Sequence, residues 1–342
     1  MRKPVSPRAL TCMALCLCSL AVSADDSPAV RVDAFNFIRA ETDLYFKRTV
    51  EKGGFGALIH EREPTAIEKQ TVVRMNRDTL YTSGVFDLDA GPVSITLPEA
   101  AKRFMSLQVI SQDHYTTEVT YTPGRHTYDR DKVGTRYVFI VVRTLVNAGQ
   151  PDDVKAAQRL QDAIGVEQAN KGRYETVAWD AASQTKVRQT LETLSSFGGG
   201  PHMFGTREEV NPIAHLMGTA AGWGGNPDYA AKYVSVFPEH NDGRTPYKLT
   251  VKNVPVDGFW SLSVYDRNGY FEKNALGAYS LNNLTAKPDR DGAYTIQFGA
   301  CQATTPNCLP VTAGWNYVVR LYRPRPEVLD GQWKFPEAQP AQ

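Results

Sequence analysis

The stretch RFMSLQVISQDHY, residues 103–115, recurs 155 residues later as GFWSLSVYDRNGY, residues 258–270. In the first half of both copies, apolar and polar side chains alternate, which is typical of a β-strand. Both copies then enter a polar turn that contains an aspartate. The recurrence predicts that one strand and one turn are built twice in this chain.

Two further pairs of segments support an internal duplication. The matches are ITL with LTV (residues 95–97 and 249–251) and GTRYVFIVVR with GWNYVVRLYR (residues 134–143 and 314–323). The last match aligns Tyr137 with Tyr317 and Arg143 with Arg323. Three matches in the same order are hard to assign to chance. They predict two related antiparallel β-sandwich domains.

Helical patterns flank the two strand-rich regions. Residues 34–52 read as a helix that ends at a pair of glycines, and apolar residues at helical spacing recur between residues 154 and 194. We therefore expect a fold that is mainly β with helical segments. Residues 25–150 hold an N-terminal helix and the first sandwich, residues 151–236 form a helical connection, and residues 237–342 hold the second sandwich with an extended C-terminal segment.

Residues 1–24 have the pattern of a cleaved export signal. Arg2, Lys3 and Arg8 precede an uncharged apolar run, and small residues lead up to a signal-peptidase cleavage site after Ala24. The run is too short to span a bilayer comfortably. The alternative, a buried N-terminal helix, is disfavoured by the basic flank. We predict a periplasmic or secreted protein without a membrane anchor.

The charge of the chain argues against nucleic-acid partners. Cleavage would remove three of the 38 basic residues and none of the 37 acidic ones, which leaves a net charge near −2. Proteins that bind nucleic acids or anionic lipids electrostatically carry an excess of positive charge. We expect neither partner.

The same cleavage would leave Cys301 and Cys308 as the last two of five cysteines. In an exported protein, two cysteines seven residues apart in a turn favour one disulfide bond. Loop entropy gives so small a ring about 2.5 kcal/mol. A metal site made by two cysteines alone, or a free thiol nucleophile, is less favoured.

Long strings of the chain resemble bacterial exported proteins that carry the paired domains of unknown function 1254 and 1214. The strings are MNRDTLYTSGVFDLDAGPVSITLPE with RFMSLQVISQDHYT for the first domain, and VPVDGFWSLSVYDRNGYFEKNALGAYSLNN, CLPVTAGWNYVVRLYRPR and LDGQWKFPEAQP for the second. The resemblance implies two jelly-roll-like β-sandwich domains with a helical connection. It implies little about activity, because the family is named for its unknown function.

Common catalytic signatures are missing from the sequence. It contains no Gly-x-Ser-x-Gly elbow, no His-Glu-x-x-His helix and no phosphate-binding loop. Its glycine-rich stretches break the dinucleotide-binding spacing, so we expect no nucleotide cofactor.

The motif MNRDTLY supplies the first candidate site. Asn76, Arg77 and Asp78 place an amide, a cation and a carboxylate in succession, and Tyr81 follows. In a strand, Asn76 and Asp78 share one face, where they could orient the hydroxyls of a ligand. The alternative is an Asp-Thr turn with Arg77 paired across strands.

The end of the first repeated strand supplies the second candidate. Asp113 and His114 could act as a catalytic pair, because carboxylate and imidazole both serve as general bases. With Asp78 they would form a set of ligands for a divalent metal. The alternative is a solvated turn in which Asp113 accepts hydrogen bonds from backbone amides.

Aromatic residues complete the candidates. Trp223 lies between glycines and could stack on a sugar or aromatic ring, although such a tryptophan is more often a core residue. Tyr265 and Asp266 form a polar and aromatic set in the second repeat, where an ordinary hairpin is the alternative.

Three functions fit these observations. The leading hypothesis is an exported protein that recognises a small polar molecule or glycan at or between the two sandwiches. The second is a hydrolytic or metal-assisted enzyme that uses Asp78, Asp113 and His114 and a divalent metal cofactor. The third is a structural envelope protein in which these residues only brace the fold.

Overall fold

A computed structural model describes residue 1 and residues 28–70, 73–198 and 200–341. The predicted export signal, residues 1–24, lies outside this part of the chain apart from Met1. Within the described residues, no helix has the length and apolar character that crossing a membrane requires.

The described residues form short helices and many strands. The helices are α1 (Phe37–Glu51), α2 (Arg130–Val133), α3 (Pro151–Asp162), α4 (Ala181–Ser195), α5 (Pro212–Gly222) and α6 (Pro326–Leu329). The strands are β1 (Ile59–His60), β2 (Thr79–Asp87), β3 (Val93–Leu97), β4 (Met105–Ser111), β5 (Thr116–Thr120), β6 (Gly124–Tyr128), β7 (Tyr137–Leu145), β8 (Gly165–Gln168), β9 (Ala231–Val236), β10 (Tyr247–Val251), β11 (Trp260–Tyr265), β12 (Ser280–Asn282), β13 (Tyr294–Phe298), β14 (Cys308–Leu309), β15 (Asn316–Tyr322) and β16 (Gln339–Pro340).

The first sandwich packs the sheet β1-β2-β7-β4-β5 against the sheet β6-β3-β8. Its core joins apolar residues of both sheets, such as Leu107 and Ile140 of the larger sheet and Ile95 of the smaller one. The opposite face of the larger sheet packs against α1 and the end of α5, through Phe46 and Trp223. Both faces of this sheet are therefore buried.

The second sandwich repeats this arrangement. Its sheets are β12-β11-β15-β9 and β14-β13-β10-β16, and its core includes Leu262, Val319 and Ile296. The orders β2-β7-β4-β5 and β9-β15-β11-β12 correspond strand for strand, as do β6-β3-β8 and β13-β10-β16. Among the named strands of the described residues, all the pairings are antiparallel except the two-residue pair β13–β14. The mainly β fold with two β-rich domains is confirmed.

The strand register corrects part of the repeat alignment. Ser106 lies opposite Arg143 in the first sheet, and Ser261 lies opposite Arg320 in the second. Arg143 therefore corresponds to Arg320, and the match with Arg323 is wrong by three residues, as is the match of Tyr137 with Tyr317. Every residue of β7 and β15 is buried, so no alternation of polar and apolar residues fixes their register in the sequence.

The domain boundaries differ from those expected. Strand β8, residues 165–168, belongs to a sheet of the first sandwich, beyond the expected boundary at residue 150. Strand β9, residues 231–236, pairs with β15 of the second sandwich, before the expected boundary at residue 237. Both strands are short segments next to helices, which hides them in a helical sequence pattern.

The predicted disulfide is present between Cys301 and Cys308, whose Cα atoms lie 5.6 Å apart. It closes the loop between β13 and β14.

Helix α5 begins at Pro212, a residue that suits the first turn of a helix. The side chain of Asn211 caps the helix by accepting hydrogen bonds from the N–H groups of Ile213 and Ala214.

Candidate functional site

Two buried arginines occupy equivalent positions in the two domains. Arg143 is 6% exposed and Arg320 is 4% exposed. Each lies on a central strand, on the sheet face that points away from its own sandwich core. Burying a guanidinium is costly unless it is hydrogen-bonded and its charge is balanced. The stability of each buried arginine therefore depends on the hydrogen-bond acceptors and negative groups around its guanidinium.

Each arginine is covered by a segment that leads into the other domain. Residues 67–70 and 73–78 lead into β2 of the first domain, but Ile67 and Met75 pack on the second domain beside Tyr265. Residues 223–230 lead into β9 of the second domain, but Trp223 packs on the first. The two domains thus exchange their connecting arms, which places polar arm residues over both arginines.

Arg143 has neutral hydrogen-bond partners. Its Nη1 donates to Gln108 Oε1 at 2.6 Å and to Asn226 Oδ1 at 3.3 Å, and its Nη2 donates to the carbonyl oxygen of Gly224 at 2.8 Å. The guanidinium lies 5.6 Å from the ring centroid of Tyr81. Among the described residues, no carboxylate forms an ion pair with Arg143. Its positive charge is hydrogen-bonded but not balanced.

Arg320 in the second domain also has neutral hydrogen-bond partners. Arg320 donates to Ser263 Oγ at 3.1 Å, to the carbonyl oxygen of Arg74 at 2.8 Å and to the hydroxyl of Tyr265 at 2.8 Å. Although burial acts to lower the pKa of Arg320, the hydroxyl of Tyr265 and the carboxylate of Asp78 help to raise it. Among the described residues, no carboxylate forms an ion pair with Arg320 either, and Asp78 acts on it only at longer range.

Asp78 has no counterpart in the first domain. It is buried, accepts a hydrogen bond from Asn282 Nδ2 at 2.9 Å, and has a pKa that burial raises. The N–H of Val146 donates to the carbonyl oxygen of Asp78, and the N–H of Arg323 donates in the same way to that of Ala230. Ala230 therefore stands where Asp78 stands in the other half of the molecule.

The predicted ligand residues of MNRDTLY fall into this interface. The Nδ2 of Asn76 donates to the hydroxyl of Tyr322 at 2.9 Å, and its Oδ1 accepts from the N–H of Asp78 at 2.8 Å. Arg77 lies over the ring of Tyr279, at 5.6 Å from its centroid. These residues join the two domains rather than line an open strand face.

Asp113 and His114 point in opposite directions. The carboxylate of Asp113 is partly exposed and accepts hydrogen bonds from Arg39, at 2.9 Å from Nε and 2.5 Å from Nη2. His114 is 1% exposed and points under α5. The two side chains do not form a catalytic pair.

Both ring nitrogens of His114 are occupied. Its Nδ1 lies 2.8 Å from the Thr219 hydroxyl, which donates its own proton to the carbonyl oxygen of His215 and so accepts from His114. Its Nε2 accepts from the N–H of Gly224 at 2.8 Å. This network assigns a neutral ring that is protonated at Nδ1. No nitrogen is left to serve as a base or a metal ligand.

The predicted metal set is not assembled. Asp78 lies against Asn282 in the second domain, Asp113 lies at the surface beside Arg39, and His114 lies under α5. Among the described residues, no three histidine, cysteine, aspartate or glutamate side chains are grouped so that they could hold a metal ion. The sequence hypothesis failed because neighbours in a strand-end turn can face opposite sides of a sheet.

His114 also occupies a strained backbone position. Its φ is +63°, and its N–H donates to the carbonyl oxygen of Ser111. In the second copy, Gly269 has a φ of +83°, and its N–H donates in the same way to the carbonyl oxygen of Asp266. The left-handed conformation costs a non-glycine residue about 1 kcal/mol. The repeated turn requires this conformation, and the buried hydrogen bonds of the imidazole offset its cost in the first copy.

We expect His114 to make the protein less stable in mild acid. Burial, with the neighbouring His215 as a second cause, holds the pKa of His114 well below its usual range. In the unfolded chain, a histidine takes up a proton near pH 6.5. The contribution of His114 is therefore complete above about pH 6.5 and is lost as the pH falls, by up to about 1.4 kcal/mol per pH unit.

Urea denaturation at a series of pH values between neutral and mildly acidic checks this prediction. The variant His114→Asn, whose side chain tolerates the left-handed backbone, should show a shallower decline in the free energy of unfolding. His60, the pKa of which is also lowered by burial, is present in both proteins and cancels in the comparison. Equal slopes in the two proteins would contradict the prediction.

Trp223 offers no free face to a ligand. Its ring stacks on Tyr45 at 4.4 Å on one side and on His114 at 5.4 Å on the other, and its Nε1 donates to Thr42 Oγ1 at 3.2 Å. The expected stacking surface is therefore filled by the protein itself. Trp223 fixes its arm to α1 and to the His114 turn.

The set of Tyr265 and Asp266 is also internal. The hydroxyl of Tyr265 donates to the carbonyl oxygen of Met75 at 2.7 Å, and Asp266 Oδ1 accepts from the N–H groups of Asn268 and Tyr270. The adjoining hollow has a volume of about 30 Å³. That is room for a water molecule, whereas small-molecule sites take several hundred Å³.

A larger cleft of about 330 Å³ lies between the two domains. Its lining comprises residues 97–105, Tyr121 and Pro123 from the first domain and Asp257, Gly258 and Arg323 from the second. Gly258 favours this close approach, because a Cβ atom there would lie 3.1 Å from Cδ2 of Phe104 in the first domain. The cleft has the size of a small-molecule site.

Aromatic rings and cations meet in this cleft. The rings of Phe104 and Tyr121 lie 5.6 Å apart, and the guanidinium of Arg323 lies 4.8 Å from the Tyr121 centroid. Burial raises the pKa of Tyr121 to about 12, and the charge of Arg323 acts against that rise. Within the described residues, neither Arg323 nor the exposed Lys102 forms an ion pair.

Family models match both halves of the chain. The model described as a protein of unknown function (DUF1254) matches residues 55–132, and the one described as a protein of unknown function (DUF1214) matches residues 231–326. The chain belongs to the family that pairs these two domains. Of the residues that line the interdomain cleft, 97–105 lie within the segment matched by the DUF1254 model, and Arg323 lies within the segment matched by the DUF1214 model. Arg143 lies outside both matched segments.

Comparison with solved structures supports the fold alone. A crystal structure of the VPA0106 protein from Vibrio parahaemolyticus is 19% identical, with a TM-score of 0.67 over 91% of this chain and 98% of that one. An uncharacterized protein from Burkholderia cenocepacia is 12% identical, with a TM-score of 0.48 over 85% and 84% of the two chains. No curated protein is significantly similar.

Sequence reasoning singled out neither the residues that line the cleft nor the two buried arginines as site residues. Phe104 belongs to the repeated stretch, but a strand pattern assigns it to a core. Arg320 was hidden by the alignment of Arg143 with Arg323. The available signal was the pair of serines, Ser106 and Ser261, since each faces the arginine of its sheet.

Proposed function

We propose that the protein binds a small sugar acid in the cleft between its two sandwich domains. The observation that carries the proposal is the combination, in one cleft of about 330 Å³, of the rings of Phe104 and Tyr121 with the cations Lys102 and Arg323. Export to the periplasm or the cell exterior, predicted from residues 1–24, would place such a protein where free sugars and glycans occur.

Each wall of the cleft suits a different part of a sugar acid. Aromatic faces pack against the apolar face of a pyranose ring, and an arginine pairs with a carboxylate through two hydrogen bonds. On the same wall, Asp257 Oδ1 accepts a hydrogen bond from Arg325 Nε at 2.8 Å. Asp257 therefore pairs with Arg325 rather than with Arg323. Glu99 and backbone carbonyl groups can accept hydrogen bonds from sugar hydroxyls.

Calorimetric titration with glucuronate tests the proposal. We expect the wild type to bind glucuronate more tightly than glucose, which has the same ring but no carboxylate. Arg323→Ala should weaken glucuronate binding by about tenfold or more, because a hydrogen-bonded charge pair is lost. Tyr121→Ala should weaken the binding of both sugars.

A matched control is Lys248→Ala, which removes an exposed cation on β10 away from the cleft and should change nothing. If neither Arg323→Ala nor Tyr121→Ala alters the affinity for glucuronate, the cleft is not the binding site. If glucose binds as tightly as glucuronate, the assignment of an acidic ligand is wrong.

A further inference from the structure

One sheet edge is covered by the chain in the first domain and uncovered in the second. The strands that form this edge are β2 and β9, which pair with the equivalent strands β7 and β15. The register of these pairings makes Tyr233 the equivalent of Tyr81 and Ser235 the equivalent of Ser83. The two edges can therefore be compared residue by residue.

In the first domain, residues 54–61 cover the outer side of β2. The N–H of Glu61 donates to the carbonyl oxygen of Tyr81 at 2.8 Å, and Ile59 pairs with Ser83 in an antiparallel register. An extended segment of the chain thus satisfies the backbone groups that point away from the sheet at these two positions.

The outer side of β9 has no such cover among the described residues. The N–H of Arg323 donates to the carbonyl oxygen of Ala230. Because backbone groups alternate in direction along an antiparallel strand, Ala230 and every second residue after it face β15. The N–H and C=O groups of Tyr233 and Ser235 therefore point outward, and no described residue forms a hydrogen bond with them.

This edge lacks the features that usually protect an unpaired strand. Natural edges are protected by charged side chains, by prolines or by very short strands. Strand β9 has six residues and one charged side chain, Lys232, whose Nζ lies 4.0 Å from the carboxylate of Asp228. Aromatic residues flank the strand, and Tyr229 is 44% and Phe237 61% exposed. The edge is suited to a further strand.

We propose that a second copy of this chain covers the edge, with the two β9 strands antiparallel about a two-fold axis at Val234. Tyr233 then exchanges both backbone hydrogen bonds with the partner's Ser235, and the reverse pair forms on the other side of the axis. A two-fold interface requires such self-complementarity. Every outward backbone group of the two residues gains a partner, and the two copies share one continuous sheet.

The side chains of β9 are compatible with this pairing. Lys232 lies opposite the partner's Val236, so the pairing places no like charges opposite each other. The exposed ring of Phe237 lies opposite the partner's Ala231, which is small enough to leave room for it. Val234 and Val236 pack against the sandwich core but are only partly buried, and a neighbouring strand would complete their burial.

Size-exclusion chromatography with light scattering measures the mass of the purified protein over a dilution series. The wild type should be a dimer that dissociates on dilution. Ser235→Pro removes an N–H group that only the partner uses, and an edge strand tolerates proline at such a position. It should raise the dissociation constant of the dimer by about a hundredfold, because each copy loses a donor and gains a ring that blocks the approach.

Ser235→Ala is the matched control, since it keeps the backbone N–H and should leave the dissociation constant unchanged. A second pair of variants keeps the test decisive if Ser235→Pro fails to fold. Tyr233→Lys with Ser235→Lys places like charges opposite each other across the axis and should give a monomer. Tyr233→Lys with Ser235→Glu places opposite charges there and should remain a dimer. Both positions are exposed, so the fold should tolerate these changes.

Three results would overturn the proposal. A wild type that is monomeric at its highest soluble concentration would leave the edge free or assign it to a peptide of another protein. A dimer equally stable in Ser235→Pro and Ser235→Ala would have to use another surface, as would a dimer that both double variants retain. Neither position lines the cleft, so the dimer and the binding of glucuronate can each fail without the other.

Discussion

Replacement of His114 by alanine should lower the free energy of unfolding by about 3 kcal/mol. The change removes a buried ring that stacks between Trp223 and His215 at 5.4 Å from each. It also leaves the N–H of Gly224 without its acceptor and takes one donor from the hydroxyl of Thr219, which keeps its hydrogen bond to the carbonyl oxygen of His215. A buried polar group that loses its partner costs about 1–3 kcal/mol, and the vacated volume adds to that cost.

Asp113→Ala is the matched control one residue away. Its carboxylate pairs with Arg39 near the surface, where ion pairs contribute about 1 kcal/mol or less. Urea denaturation of the two variants at neutral pH separates them. A loss for His114→Ala no larger than that for Asp113→Ala would contradict a structural role for the imidazole and would revive the idea of an exposed reactive pair.

Replacement of Arg320 by methionine should have a comparable effect, about 3 kcal/mol. It takes a hydrogen-bond donor from the hydroxyls of Ser263 and Tyr265 and from the carbonyl oxygen of Arg74, and it removes a positive charge that acts to lower the pKa of Asp78. A buried polar group that loses its partner costs about 1–3 kcal/mol. Adding Asp78→Asn to this variant should restore part of the loss.

Arg323→Met is the control for this prediction. Arg323 is exposed, and within the described residues it forms no ion pair, so its replacement should change the free energy of unfolding by about 0.5 kcal/mol or less. Chemical denaturation of both variants is sufficient. Equal losses in the free energy of unfolding for Arg320→Met and Arg323→Met would contradict the strand register in which Arg320 is the equivalent of Arg143.

The fold was largely predictable because its two halves share a sequence pattern. The stretch that begins at Arg103 matches the one at Gly258 without a gap, and Ser106 and Ser261 occupy the same place in their sheets. The pattern failed in β7 and β15, where burial on both faces removes the polar residues that mark a register. Domain number is therefore easier to predict than strand alignment.

The candidate site was less predictable because tertiary contacts decide it. The two repeated turns differ in the structure because His114 holds the left-handed position that Gly269 holds in the second copy. The chemistry of the first turn could not be derived, because the groups that occupy His114 come from Thr219 and Gly224, more than one hundred residues away. Asp78 was singled out as a ligand residue, but the exchange of arms buries it against Asn282 of the second domain.

Hydrogen exchange followed by mass spectrometry, with and without glucuronate, tests the proposed binding of a sugar acid between the domains most directly. Backbone amides that a ligand covers or rigidifies exchange more slowly. The cleft predicts slower exchange in two separate regions, residues 97–105 of the first domain and residues 257–258 with 323 of the second. Glucose should protect them less. Protection confined to one domain, or protection beside Tyr265 and Asp266 with none in the cleft, would contradict the account.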